Sequence, residues 1–225
     1  CGNAAFMQTR EDAVALAKSM VATGNSLGME VTAQVTEMDN PIGSMFGNSH
    51  EIVECIQCLK GGGPSDTMEL VYTQADGLGM DIRGTIIDGS ALNEFREMCI
   101  RQGVDADNVA KLIENPWNLL DKAPVETEIT IQNPGYIAQI HALTIGEILC
   151  KLGAGRTGEN PEIDHGIGAE LLVEIGQKVS FGEPWIRFDT REKLSGEMIE
   201  AIQNSLTLSN SEIRKSSRIL EIIKD

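Results

Sequence analysis

Residues 30–57, with the sequence EVTAQVTEMDNPIGSMFGNSHEIVECIQ, predict a strand, a turn-rich loop and a helix in direct succession. The segment from Val31 to Val35 suits a buried strand, and a helical pattern starts at Asn48. Three residues between them give the loop a defined shape: Pro41, Gly43 and Gly47. In α/β proteins a ligand usually binds where a strand leads through such a loop into a helix. The predicted fold class is therefore α/β, with a candidate site at this loop.

The helix after the loop predicts the position of a carboxylate. Asn48 suits an N-cap, with Glu51 in capping-box spacing. Apolar residues give the helix a buried side: Ile52, Val53, Cys55, Ile56 and Leu59. Glu54 is then expected next to the apolar side of the helix and near the loop. A carboxylate there, among loop carbonyls, suits a hard cation. The alternative, which the sequence leaves open, is a solvated or capping carboxylate.

The segment before this stretch indicates a parallel sheet. Residues 1–7 are interpreted as the end of a strand or a loop, and Thr9 to Leu27 predict a helix capped by Thr9. A strand, a helix and the strand at 30–36 together favour parallel pairing. Because the chain has no initial Met, we expect a processed, excised or truncated product.

A change of pattern near residue 124 predicts a second, β-rich unit. Strands are predicted at 127–131, 136–140, 169–174 and 184–188, with a helix at 143–152. A last helix is predicted at 195–208, followed by a frayed or locally helical tail after Asn210. The predicted domains are 1–123, an α/β part; 124–190, a small β-rich domain; and 191–225, a helical extension that packs back.

Charge and composition restrict the function classes. The chain has 225 residues and a formal net charge of −16, which argues against nucleic acid or an anionic membrane surface as a partner. No apolar run approaches the roughly 20 residues that cross a bilayer. Five cysteines without the spacing of a disulfide scaffold predict a reducing compartment, and hence a cytoplasmic protein.

Several motifs favour structural roles over chemistry. Cys55 and Cys58 have the spacing of half a zinc site, but no second pair accompanies them. The Gly61–Pro64 turn is not followed by a phosphate-loop lysine. The three histidines are interpreted as surface or supporting residues: His50, His141 and His165.

Four segments resemble the thymidine and pyrimidine nucleoside phosphorylase family. Residues 32–56, TAQVTEMDNPIGSMFGNSHEIVECI, resemble its pattern T-A-x-x-T-x-M-x-x-P-[LI]-G-x-x-x-G-N-x-x-E-V-x-E-A-I. CGNAAFM at 1–7 is similar to V-G-S-G-A-F-M, LGAGR at 152–156 to G-A-G-R, and IDHGIG at 163–168 to I-D-x-x-V-G. The resemblance covers about the C-terminal half of such an enzyme.

The resemblance implies a fold and an activity. It implies the C-terminal portion of a parallel-sheet α/β domain, followed by a barrel-sandwich hybrid. Such enzymes convert thymidine or uridine and phosphate into the free base and a pentose 1-phosphate. Phe6 matches the phenylalanine that packs against the pyrimidine base. The family's catalytic and phosphate-binding groups match no position of this chain, so no catalytic residue is assigned.

The resemblance also implies a potassium site and partners. Its ligands here would be the carbonyls of Ile42 and Met45 and the side chain of Glu54, completed by ligands from the missing N-terminal half. No other cofactor is expected, and the complete enzyme is expected to be a homodimer.

Two hypotheses follow. In the first, the chain is the C-terminal part of a pyrimidine nucleoside phosphorylase and is inactive alone. In the second, it is a non-catalytic binding or scaffolding module derived from that fold.

Overall fold

The first 120 residues of the chain are mainly helical. The computed structural model describes residues 1–156 and 161–224. This part consists of α1 (Arg10–Ser26), β1 (Thr32–Thr36), β2 (Met45–Phe46), α2 (Asn48–Leu59), α3 (Ser65–Gly77), α4 (Arg83–Ile87), α5 (Ser90–Arg101), α6 (Ala106–Glu114) and a 3₁₀ turn (Pro116–Asn118). The predicted cap of α1 is confirmed, since the Thr9 side chain accepts a hydrogen bond from the amide of Asp12. Asn48 is not a cap, because α2 begins at Asn48 and is preceded by Gly47.

The rest of the described chain is rich in strands. It consists of β3 (Val125–Thr130), β4 (Gly135–Ile140), α7 (Ala142–Leu152), β5 (Gly168–Leu171), β6 (Lys178–Val179), β7 (Pro184–Thr190), α8 (Gly196–Asn204), β8 (Leu206–Ser209) and β9 (Ile219–Lys224). The predicted strand at 136–140 and the helix at 143–152 lie within one residue of the observed bounds. Residues 157–160 of the predicted 124–190 domain, and residue 225, lie outside the described residues.

The strands form three small antiparallel sheets. Their orders are β1-β9, β2-β5-β7-β3 and β6-β4-β8, and every pair of strands in the described ranges is antiparallel. The α/β class is confirmed, but the predicted parallel sheet is not formed, because residues 1–7 make turns and bends in place of a strand. The exception is Cys1, whose amine donates to the carbonyl of Thr36 (2.6 Å) and whose carbonyl accepts from the amide of Met38 (2.8 Å). That is the bond pattern of a single parallel pair.

The C-terminal region differs from the predicted helical extension. The last helix, α8, ends at Asn204, and Leu206 and Leu208 belong to β8, which pairs with β4. The tail is not helical, because residues 219–224 form β9 and pair with β1 in the helical part. β9 contributes to a small buried cluster together with α1 and β1: Ala17, Val21, Val35 and Ile223.

The main core lies in the β-rich part. Its least exposed side chains come from β4, β7 and α8 and include Ile137, Trp185, Ile186, Phe188 and Ile202. The burial does not alternate strictly, since Trp185 and Ile186 are adjacent on β7 and both are buried. In the described part of the chain, no helix is long and apolar enough to span a membrane.

Candidate functional site

The loop at residues 37–47 runs from the end of β1 through β2 to the start of α2, and it is held by three carboxylates, of which Glu54 and Asp66 are buried and Glu37 is half-buried. Glu37 holds its beginning, because Oε1 accepts hydrogen bonds from the amides of Asp39 (2.7 Å) and Asn40 (2.9 Å). Asp66, near the start of α3, accepts from the amide of Gly43 (3.3 Å) through Oδ2. The loop therefore has its amides paired with side-chain oxygens, as a loop partly removed from water requires.

Glu54 holds the second part of the loop. Its Oε2 accepts from the amide of Ser44 (2.6 Å), the hydroxyl of Ser44 (2.9 Å) and the amide of Met45 (3.0 Å). Glu54 is buried, so it is not a solvated carboxylate. Gly43, at φ +75°, lies against this carboxylate so closely that a Cβ would overlap Oε1. This approach explains why glycine is needed at position 43.

Arg218, just before β9, joins the loop to the carboxylates. Its guanidinium donates to Asp66 Oδ2 from Nη2 (2.8 Å) and Nε (3.2 Å), and to the carbonyl of Asn40 from Nη1 (3.1 Å). It also donates to Glu37 Oε2 and to the carbonyl of Pro41. The side chain is 9% exposed, so these bonds are shielded from water.

The charge of Arg218 also sets the titration of Asp66. Burial by itself raises the pKa of this carboxyl, but the hydrogen bonds and charge of Arg218 and the amides of Gly43 and Thr67 outweigh it. The pKa of Asp66 therefore lies below its ordinary value, and Asp66 is ionised at neutral pH.

The loop is also bonded to both neighbouring parts of the molecule. The backbone amide of Asn3 donates to Asp39 Oδ1 (2.8 Å). On the other side, the amide of Ile140 donates to Asn40 Oδ1 (2.9 Å), and the amide of Ala142 to the carbonyl of Asp39 (3.2 Å). The loop thus lies at the junction of the N-terminal segment, the helical part and the β-rich part.

Two cavities flank the loop. One of about 660 Å³ lies between the loop, the Gly62–Asp66 turn and residues 170–177. The other, about 350 Å³, lies between the loop and α7 and is lined by Ile42, Phe46 and Leu149 among others. Either is large enough for a small-molecule ligand.

The structure places the predicted site residues as follows. Phe6 is 92% exposed, in the turn that Asn3 ties to the loop. Ile42 lies in the loop, and Met45 begins β2 with its side chain buried. Within the described ranges, no group of three or more His, Cys, Asp or Glu side chains could hold a metal ion.

The surface position predicted as one alternative for His50 is not observed, because His50 is fully buried on α2. Its Nε2 lies 2.7 Å from Oδ2 of Asp189 on β7, and its ring packs edge-on against Trp117 at 5.0 Å. Burial raises the pKa of Asp189, but His50 and the nearby Lys122 outweigh it and hold that pKa below its ordinary value. The pair joins the helical part to the core of the β-rich part.

The remaining predicted residues have structural surroundings. His141 caps α7 by accepting from the amide of Thr144. Cys55 and Cys58 are free and half-buried, and burial together with the nearby Glu54 raises the pKa of Cys58 to about 11. A thiol with so high a pKa is a poor nucleophile and a poor metal ligand at neutral pH.

Comparison with known proteins gives matches along nearly the whole chain. Residues 136–209 match the family model of the pyrimidine nucleoside phosphorylase C-terminal domain. The chain is 35% identical over 228 residues to thymidine phosphorylase of Homo sapiens, which covers 93% of this chain and 47% of that protein. It is 35% identical to pyrimidine-nucleoside phosphorylase of Staphylococcus epidermidis (93% of this chain, 50% of that protein) and 32% identical to that of Bacillus subtilis (92% and 50%).

The fold and these matches point to a class, the C-terminal halves of nucleoside phosphorylases, which this chain resembles. Residues 136–209 match the pyrimidine nucleoside phosphorylase C-terminal domain, and the chain is similar to thymidine and pyrimidine-nucleoside phosphorylases. The chain spans about half the length of the curated relatives that it matches.

Proposed function

We propose that this chain supplies the C-terminal part of a pyrimidine nucleoside phosphorylase, an enzyme that uses phosphate to cleave thymidine or uridine into base and pentose 1-phosphate. The observation that carries the proposal is the match over 93% of the chain to enzymes named for this reaction. The loop at 37–47 supports the proposal, because hydrogen bonds fix its conformation and a cavity large enough for a ligand lies on either side of the loop.

Phe6 is the proposed contact to the base. Its ring is 92% exposed beside the loop, and an exposed aromatic ring can stack on a planar pyrimidine. The hydrogen bonds from Asn3 to Asp39 (2.8 and 3.0 Å) fix the turn that carries Phe6 relative to the loop. Phosphate needs positive groups, and this chain has a net charge of −16, so those groups are proposed to come from the half that precedes it. The chain alone is then inactive.

A potassium ion is the proposed occupant of the site between the loop and α2, at Ile42, Met45 and Glu54. Two of the proposed ligands are backbone carbonyls, of Ile42 and Met45, and the third is the carboxylate of Glu54. The fit is partial, since Oε2 of Glu54 already accepts three hydrogen bonds while no bond to Oε1 is found within the described ranges. A monovalent cation bound there would neutralise the carboxylate and help to attract phosphate.

The test is a chimera. The segment of the Bacillus subtilis pyrimidine-nucleoside phosphorylase that matches this chain is replaced by residues 1–225, and release of thymine from thymidine is measured with and without phosphate. We expect phosphate-dependent release by the chimera and none by the 225-residue chain. In the chimera, Phe6→Ala should raise the KM for thymidine about tenfold, as expected for loss of one stacked base, while Phe181→Ala, in the exposed turn between β6 and β7, should leave it unchanged.

A folded, dimeric chimera without turnover would contradict the proposal and favour the non-catalytic binding or scaffolding module. The mass of the same chimera in solution tests the proposed homodimerisation. Omission of potassium from the assay tests the cation proposal separately. The chimera with Glu54→Gln should still fold, but its turnover should no longer respond to potassium.

A further inference from the structure

We infer that Arg218 is a positioning residue that ties the C-terminal strand β9 to the first part of the loop, residues 37–43, and sets its conformation. The importance of this conformation for substrate binding rests on the proposed function. The tie itself is independent of any activity.

The tail is bonded to the loop through both backbone and side chain at this one position. The carbonyl of Arg218 accepts from the amide of Glu37 (2.8 Å), and its own amide donates to Glu69 on α3 (2.9 Å). The guanidinium then reaches Glu37, Asp66 and the carbonyls of Asn40 and Pro41. A planar group with five N–H donors can serve these acceptors at once, and a lysine ammonium cannot.

The loop divides into two parts with different supports. The amides of Asp39, Asn40 and Gly43 donate to Glu37 and Asp66, which are the two carboxylates that the Arg218 guanidinium contacts. The amides of Ser44 and Met45 donate to Glu54, which has no contact with Arg218 within the described ranges. Removal of the guanidinium therefore affects the first part selectively.

The charges explain the direction of the effect. Glu37, Asp66 and Glu69 all lie against the Arg218 residue. Without the guanidinium, Glu37 and Asp66 lose their ion-pair partner in a part-buried site, which strongly disfavours that arrangement. The two carboxylates then separate or take up water, and the amides bonded to them lose their acceptors.

Amide hydrogen exchange of the 225-residue chain tests the tie directly. In Arg218→Gln, the amides of Asp39, Asn40 and Gly43 should exchange about 100-fold faster than in the unaltered chain. The amides of Ser44 and Met45 should change less than about twofold. The matched control is Arg10→Gln, because Arg10 also binds β9, through Glu221 and the carbonyl of Leu220 (both 3.1 Å), but does not touch the loop.

Unchanged exchange at Asp39, Asn40 and Gly43, or equal acceleration in both parts of the loop, would overturn the inference. If Arg218→Gln does not fold, Arg218→Lys decides the question: acceleration confined to the first part supports the tie, and exchange equal to that of the unaltered chain contradicts it. In the chimera, Arg218→Gln should lower kcat/KM about tenfold while Arg10→Gln leaves it unchanged. A chimera without turnover removes only this last comparison and leaves the exchange result in force.

Discussion

The β-rich part of the molecule is held by burial, whereas the helical part that precedes it is held largely by polar contacts. Strands β3, β4, β5 and β7 and helices α7 and α8 enclose one large core. The second buried cluster has only four members, from α1, β1 and β9, and no described residue of α4 or α5 is buried. Large apolar side chains are exposed there, including Leu78 and, at 87%, Ile87.

The two parts of the chain therefore rely on interactions with different physical properties. Burial of apolar area stabilises without direction, so the β-rich part can be stable on the strength of its core. Hydrogen bonds and ion pairs are directional, so they can fix the shape of the loop at 37–47. The exposed apolar residues of the helical part fit the proposal that a preceding half packs against it.

The largest effect is expected in the main core. Phe188 is fully buried, so Phe188→Ala should lower the free energy of unfolding by about 4 kcal/mol, through lost burial and a cavity. Phe181→Ala is the matched control, and its exposed side chain should cost less than about 0.5 kcal/mol. Urea denaturation measures both, and equal effects would break the comparison between core and surface.

Loss of the contact between His50 and Asp189, which joins the helical part to the β-rich part, should have the next largest effect. Asp189 has a depressed pKa in the folded chain, so it contributes stability above its unfolded pKa of about 3.9, which is lost as pH falls through the folded value. Asp189→Asn should therefore cost about 3 kcal/mol at pH 7, and the difference should shrink below pH 4. Urea denaturation across this pH range measures it, and a pH-independent difference would show that His50 and Lys122 do not stabilise the ionised carboxylate of Asp189.

Gly47 tests the packing of the loop against the β-rich part. It has φ +104°, and a Cβ there would overlap the carbonyl oxygen of Ile167. Gly47→Ala should cost about 2 kcal/mol, against about 1 kcal/mol for Gly182→Ala, which has a similar φ and open space. Equal losses in thermal unfolding would mean that the loop can move away from Ile167 freely.

A helix cap gives the smallest effect. Ser195 accepts from the amide of Met198 (3.2 Å) at the start of α8, so Ser195→Ala should cost about 1 kcal/mol. Ser195→Asn, which also caps, is the control and should stay within about 0.5 kcal/mol of the unaltered chain. A loss equal in both variants, measured by urea denaturation, would assign the effect to something other than the cap.

Local signals predicted much of the fold. The Thr9 cap and the strand-forming composition of residues 136–140 depend on neighbours within a few positions, and α1 and β4 were predicted closely. A local pattern also led to a wrong prediction, that Leu206 and Leu208 belong to the last helix. Their apolar spacing suits a helix, but β4 pairs with them as a strand.

Distant partners explain what the sequence could not predict. The tail forms a strand because it pairs with β1, almost 190 residues away, and nothing local signals that partner. His50 and Asp189 are 139 positions apart, and Arg218 reaches carboxylates and carbonyls as many as 181 positions away. The loop was predicted as the site, but the residues that hold its first part were not.

Native-state hydrogen exchange of the 225-residue chain at increasing urea tests the contrast between the two parts most directly. The account predicts that amides of β3, β4 and β7 exchange only through global unfolding, while those of α4 and α5 exchange through local openings of much lower free energy. The account would be contradicted if the amides of α4, α5 and β7 were equally protected and all exchanged through one global unfolding event.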